Sequence, residues 1–148
     1  MVWSRRPAVE DPKLRLDALP SDFVVAPIGA ARFVVGPTGA YIVLAHDGTN
    51  ERPRALGRLA ATIRSVLAER MAWVPFVHPL LVDSRSITVP QATVVPPHML
   101  VDVITEGRQT LEPETFDRIR ALVDEGALDG LESVAPLADP PTPPSSEA

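Results

Sequence analysis

The 148-residue chain contains no cysteine, so it can build no disulfide framework, thiolate metal site or cysteine nucleophile. That absence fits a reducing cytoplasm. No run approaches the roughly 18 to 20 apolar residues that a membrane span needs. Arg5 and Arg6 are followed by Glu10 and Asp11 rather than by an apolar segment, so neither a secretory nor a twin-arginine signal is expected and a soluble protein is. Positive charge is also short. Nineteen acids against 14 bases give a net charge of −5, a field that repels polyanions and makes nucleic acid a poor default partner. Lys13 is the only lysine. Arg52, Arg54, Arg58, Arg64 and Arg70 cluster in one segment, but arginines at these intervals read first as the solvated face of a helix. Two catalytic signatures are missing: no serine sits in a Gly-x-Ser-x-Gly elbow, and Gly36-Pro37-Thr38-Gly39 lacks the spacing and following Lys-Ser/Thr of a phosphate loop.

What is present suits one domain, since 45% apolar residues are enough for a core. Residues 1–10 show no periodicity and are expected to be disordered. Asp11-Pro12 reads as a cap and first helical position, with Leu14, Leu16 and Leu19 forming a short helix before Pro20. Three strands follow, at 22–28, 31–35 and 40–45, joined by turns at Gly29-Ala30 and Gly36-Pro37-Thr38-Gly39 that are short enough to force an antiparallel meander. From Pro53, the residues Leu56, Leu59, Ala60, Ile63, Val66, Leu67 and Met71 repeat at steps of three and four, which predicts an amphipathic helix of about 18 residues. Trp73–Val82 reads as a further, buried strand despite Pro75 and Pro79. Weak strand signals lie at 86–89 and 92–95, and helices open at Pro97 and at Glu112-Pro113. The domain is expected to span 11–126, with 127–148 a proline-rich disordered tail. The fold class is therefore α+β, a three-stranded meander extended by a further strand and flanked by helices.

The stretches LDALPSDFVV (16–25), VVGPTGAYIV (34–43), RALGRLAATIRSVL (54–67) and VVPPHML (94–100) resemble the nuclease-related domain, NERD, a bacterial branch of the restriction-endonuclease-like superfamily. The resemblance covers about residues 14–125 and implies a restriction-endonuclease-like core. In that family an acid precedes the second strand of the meander, and an acid-x-lysine closes the third. Two carboxylates suit Mg²⁺, a hard cation that prefers oxygen ligands, while the lysine stabilises developing charge. On this sequence those positions fall at Ala31 or a neighbour, at Leu44 and at His46, none of which carries the required chemistry. The resemblance therefore implies a degenerate member without catalytic residues, metal or cofactor.

A rebuilt metal site would have to use Asp22, His46 and Asp47, but the last two are adjacent and point to opposite faces of any strand. His78 and His98, each beside proline, read as core or edge residues. The expected role is that of an interaction or assembly module, with Trp73, Pro75, Phe76 and the loop at Ile87 as candidate surface and a protein partner or self-association through an edge at 86–89. The alternatives are a DNA-binding domain that has lost cleavage and a nuclease with displaced ligands.

Overall fold

The computed structural model describes residues 16–131. The regular structure consists of a 3-10 turn at Leu16–Ala18, strands β1 (Val24–Ile28), β2 (Ala31–Gly36) and β3 (Gly39–Ala45), helix α1 (Glu51–Ala68), strands β4 (Val77–Val82) and β5 (Thr93–Val95), a 3-10 turn at Pro97–Met99, and helices α2 (Leu100–Thr105) and α3 (Pro113–Asp124). Most of the segment expected to form the N-terminal helix lies outside the described residues, as does the tail from residue 132. Among the described residues, no helix is long and apolar enough to cross a membrane.

The strands form one α+β mixed sheet in the order β1-β2-β3-β4-β5. β1, β2 and β3 pair antiparallel, as their short turns require. Gly29 takes φ 59° between β1 and β2, a left-handed conformation that favours glycine. α1 then carries the chain across the sheet so that β4 lies parallel to β3, and β5 adds parallel to β4. The meander is thus extended by two strands, not one.

Every residue of β2 and β3 is buried, because both faces of the sheet are covered. On one face Ala31, Phe33, Ile42, Leu44 and Leu81 pack with Leu56, Leu59 and Ile63 of α1 and with Ile119 and Leu122 of α3. On the other, Val34, Tyr41, Val43, Leu80 and Val82 pack with Leu16 and with Leu100 and Ile104 of α2. Two-sided burial explains why β2 and β3 read as near-continuous apolar runs rather than alternating ones. The turn between them is an anchor. Thr38 and the Tyr41 hydroxyl both donate to the Ile104 carbonyl, and the Pro37 carbonyl accepts from the Thr110 and Leu111 amides. At Gly36 a side chain would collide with the Phe23 ring, which lies over the glycine as an aromatic cover.

Three sequence expectations need correction. Ser86–Val89 forms no strand: Asp83 bonds back to the Arg85 amide at 2.8 Å and the Ile87 amide donates to the Arg85 carbonyl at 3.1 Å, so the backbone turns instead of extending. The expected edge for self-association at 86–89 is therefore absent, and Ile87 is half-buried in that turn. The strand expected from Trp73 begins only at Val77, with Trp73 61% and Phe76 59% exposed. The domain also runs beyond residue 126, since Leu128 and Leu131 enter the α1/α3 core.

The packing yields a direct test. Ile63→Ala removes a fully buried side chain and should destabilise the fold by about 2 to 5 kcal/mol, whereas Arg54→Ala, on the exposed face of α1, should change it by less than about 0.5 kcal/mol. Denaturant unfolding of the two variants measures both.

Candidate functional site

Two places on the fold concentrate polar or exposed apolar groups. The first is the end of the sheet where β3 and β4 finish together. The His46 amide donates to the Val82 carbonyl at 2.9 Å, and the Asp83 amide to the Val95 carbonyl at 3.1 Å, so parallel pairing brings His46 and Asp83 to the same end. The His46 side chain is only 6% exposed, and its Nδ1 accepts from the Gly48 amide at 3.3 Å.

The carboxylates here are already engaged. Asp83 accepts from the Arg85 amide and Nε at 2.8 and 3.2 Å through Oδ1, and from Nη2 at 2.8 Å through Oδ2. Those bonds, with the charges of Arg85 and His46 assisting against burial, hold its carboxyl down to about 2 from an ordinary 3.8. For Asp47, partial burial pushes the carboxyl up, but bonds from Thr49 and the charge of Arg52 outweigh it and leave it below the usual value. Thr49 donates to Oδ1 through its amide at 3.0 Å and its hydroxyl at 2.7 Å; Arg52 Nε donates to Oδ2 at 3.2 Å and Nη1 to the Ala45 carbonyl at 3.1 Å. Asp47 thus organises the turn that leads into α1, and Asp83 the turn that follows β4.

The positions singled out by the family resemblance do not share that polar environment. One step beyond the pair Arg32↔Val43, the β2/β3 register sets Ala31 opposite Leu44, and both are fully buried in the α1/α3 core. His46 lies past the end of β3, beyond them. The alternative ligand trio is not assembled. Asp22 is exposed just before β1, whose Val24 pairs with Val35 near the Gly36–Gly39 turn, whereas His46 is at the opposite end of the sheet, roughly 20 Å away at the usual rise per strand residue. Among the described residues, no three His, Asp or Glu side chains come together as a metal-binding group. His78 is largely exposed, its ring 5.5 Å from Tyr41 and 4.8 Å from Phe76, and partial desolvation lowers its pKa. His98 is exposed on the turn before α2.

The second place is an open groove of about 710 Å³. One wall is the small-residue face of α1, Gly57, Ala60, Ala61 and Ala68, and the other is Trp73, Phe76 and the first half of β4. β5 pairs with β4 only from Leu80, so Val77–Pro79 forms an edge on that side of the sheet, a position that tolerates Pro79. Arg64 bonds the Pro75 and Val74 carbonyls at 3.3 and 3.4 Å and holds the aromatic-bearing segment against α1. Trp73 and Phe76 are the most exposed large apolar side chains among the described residues. The sequence named both rings but not the groove. Its legible signal was the run of small residues on α1, at the spacing that leaves a helix face low. The Asp83–Arg85 clasp was also missed, although Asp-Ser-Arg directly after a strand is an Asx-turn pattern.

Comparison with protein-family models, curated proteins and solved structures finds no match.

The Asp83 clasp predicts a pH signature. Because the folded-state pKa lies below the unfolded value, the stabilisation is complete above 3.8 and is lost as pH falls toward about 2. Asp83→Asn should therefore cost on the order of 1 to 2 kcal/mol at neutral pH, with the gap to the parent closing in acid. Urea titrations of both proteins across that range check the sign.

Proposed function

We propose that this chain is a non-catalytic relative of the nuclease-related domain that works as a protein-interaction module, with the groove between α1 and the open half of β4 as its binding surface. The observation that carries this reading is the pair of exposed rings, Trp73 and Phe76, beside an unpaired strand edge. An edge offers main-chain hydrogen bonds to an extended segment, and aromatic rings offer the desolvated anchors that dominate binding energy.

The relationship to the nuclease-related domain is supported by the order of elements: a meander, then a helix, then a further strand, which is the order the resemblance implies. The reading of lost catalysis is supported by Ala31 and Leu44, which are hydrocarbon in a packed layer where that family would present acids. The arginines of the long helix lend little to a DNA-binding alternative. Of the five arginines in and just after α1, the charges of Arg52, Arg58 and Arg70 are matched by Asp47, Glu51 and Glu125, Arg64 is turned to the Val74 and Pro75 carbonyls, and Arg54 is left exposed, on a chain of net −5.

Selection of a displayed library of random peptides against the protein tests the proposal. Bound peptides should be extended and apolar, and Trp73→Ala should weaken them by about 2 kcal/mol, roughly thirtyfold in Kd. The protein should leave DNA and RNA intact with Mg²⁺ or Mn²⁺. Peptides that bind the variant as tightly as the parent, or metal-dependent cleavage abolished by His46→Ala, would contradict it.

A further inference from the structure

We infer that the groove is a receptor for the proline-rich C-terminal segment of this same chain, residues 139–144 (Asp-Pro-Pro-Thr-Pro-Pro). The inference rests on the reading of the groove as a binding surface and names an occupant held by the rings of Trp73 and Phe76 rather than by pairing with the β4 edge, since four of its six residues have no amide hydrogen.

Three observations single out this segment. The first is chemistry. Four prolines at 140, 141, 143 and 144 bias it to the extended polyproline II helix, a conformation that aromatic-lined grooves recognise because little entropy remains to be lost on binding. Six residues in that helix span roughly 19 Å, and the groove runs along α1 from Gly57 to Ala68, roughly 17 Å of helix.

The second is where the described chain ends. Leu128 and Leu131 pack in the core on the α1/α3 face, the face that carries the groove. Leu16, where the description begins, packs on the opposite face with α2, so the C-terminal segment is the better placed of the two. Residues 132–139 can reach at most about 26 to 29 Å when extended. That exceeds the roughly 18 Å length of α3, whose Thr115 and Arg118 line a shallow continuation of the groove beside Trp73.

The third is charge. Residues 132–148 hold Glu132, Asp139 and Glu147 and no base. The groove and its continuation are bordered by Arg64, Arg70 and Arg118, with Glu114 at one lip and Glu125 paired to Arg70, a local excess of positive charge on a chain of net −5. An acidic, proline-rich segment on a short tether therefore meets a basic-rimmed aromatic groove at high effective concentration. The segment acts as an internal competitor that an external ligand of the groove must displace.

The test uses Trp73 as reporter in the full chain carrying Trp3→Phe, which leaves one tryptophan. It compares that protein with a version in which Pro140, Pro141, Pro143 and Pro144 are replaced by alanine. The proposal predicts that replacing the prolines shifts Trp73 emission to the red and increases its quenching by acrylamide. A synthetic peptide of residues 136–148 should reverse both, and library-selected peptides should bind the alanine version more tightly than the parent. Phe76→Ala in the proline-intact chain should give the exposed signal, and the parent's signal should be independent of protein concentration. Identical emission with and without the prolines overturns the proposal, as does a concentration-dependent signal, which would place the segment on a second copy. If library-selected peptides shift Trp73 while the tail does not, only the tail assignment falls. If neither shifts it, the groove is not a binding surface.

Discussion

The structure depends on burying the β2–β3 hairpin from both sides. No residue of either strand retains appreciable contact with solvent, so each face needs its own cover, α1 with α3 on one side and α2 with the Leu16 turn on the other. The apolar runs of the hairpin can be satisfied in no other way, because an uncovered face would leave several large side chains in water at roughly 1.5 to 3 kcal/mol each. The hydrogen bonds from Thr38 and Tyr41 to α2, and from Thr110 and Leu111 to Pro37, tie both covers to the single turn at the hairpin's tip.

From this constraint follows the distribution of polar chemistry. A layer packed on both sides has no room for carboxylates without partners, since an isolated buried charge costs several kcal/mol. Carboxylates accordingly gather beyond the strand ends, where Asp47 and Asp83 bind amides and arginines and shape the chain's exit from β3 and β4, while the one charged residue within the hairpin strands, Arg32, is buried with its guanidinium on the Gly29 and Ala31 carbonyls. The apolar surface left over lies where the cover is incomplete. β5 is three residues long and pairs with only half of β4, and α1 presents small side chains above the uncovered half. The groove is thus what a short last strand leaves open.

Much of this was legible in the sequence. The three- and four-residue steps from Leu56 to Leu67 placed the buried face of α1, because burial of one stripe sets that period. The glycine turns placed the meander. Parallel addition of β4 and β5 was harder to read, since local pattern carries no information about which distant strand becomes a neighbour. The segment Trp73–Phe76 looked like a buried strand because apolar content does not separate core from exposed anchor, and only Val74 and Pro75 turn inward. The 86–89 segment looked extended for its Ile-Thr-Val content, but the bonds of Asp83 and Arg85 impose a turn just upstream. Leu128 and Leu131 were assigned to a tail because apolar periodicity stops after Gly126 and the end is proline-rich, yet Gly126 and Gly130 have positive φ and return the chain to the core.

On the proposed relationship, hydrocarbon at Ala31 and Leu44 fills the place where an active member of that family would hold its metal. The most direct measurement is the unfolding free energy of the triple variant Ala31→Asp, Leu44→Glu, His46→Lys, taken with and without Mg²⁺. The account predicts a loss of several kcal/mol from the two buried acids, with no recovery on adding the ion, because Ala31 and Leu44 lie in a closed layer beneath α1. A variant as stable as the parent that gains stability with Mg²⁺ would mean that the cleft is open, and would contradict it.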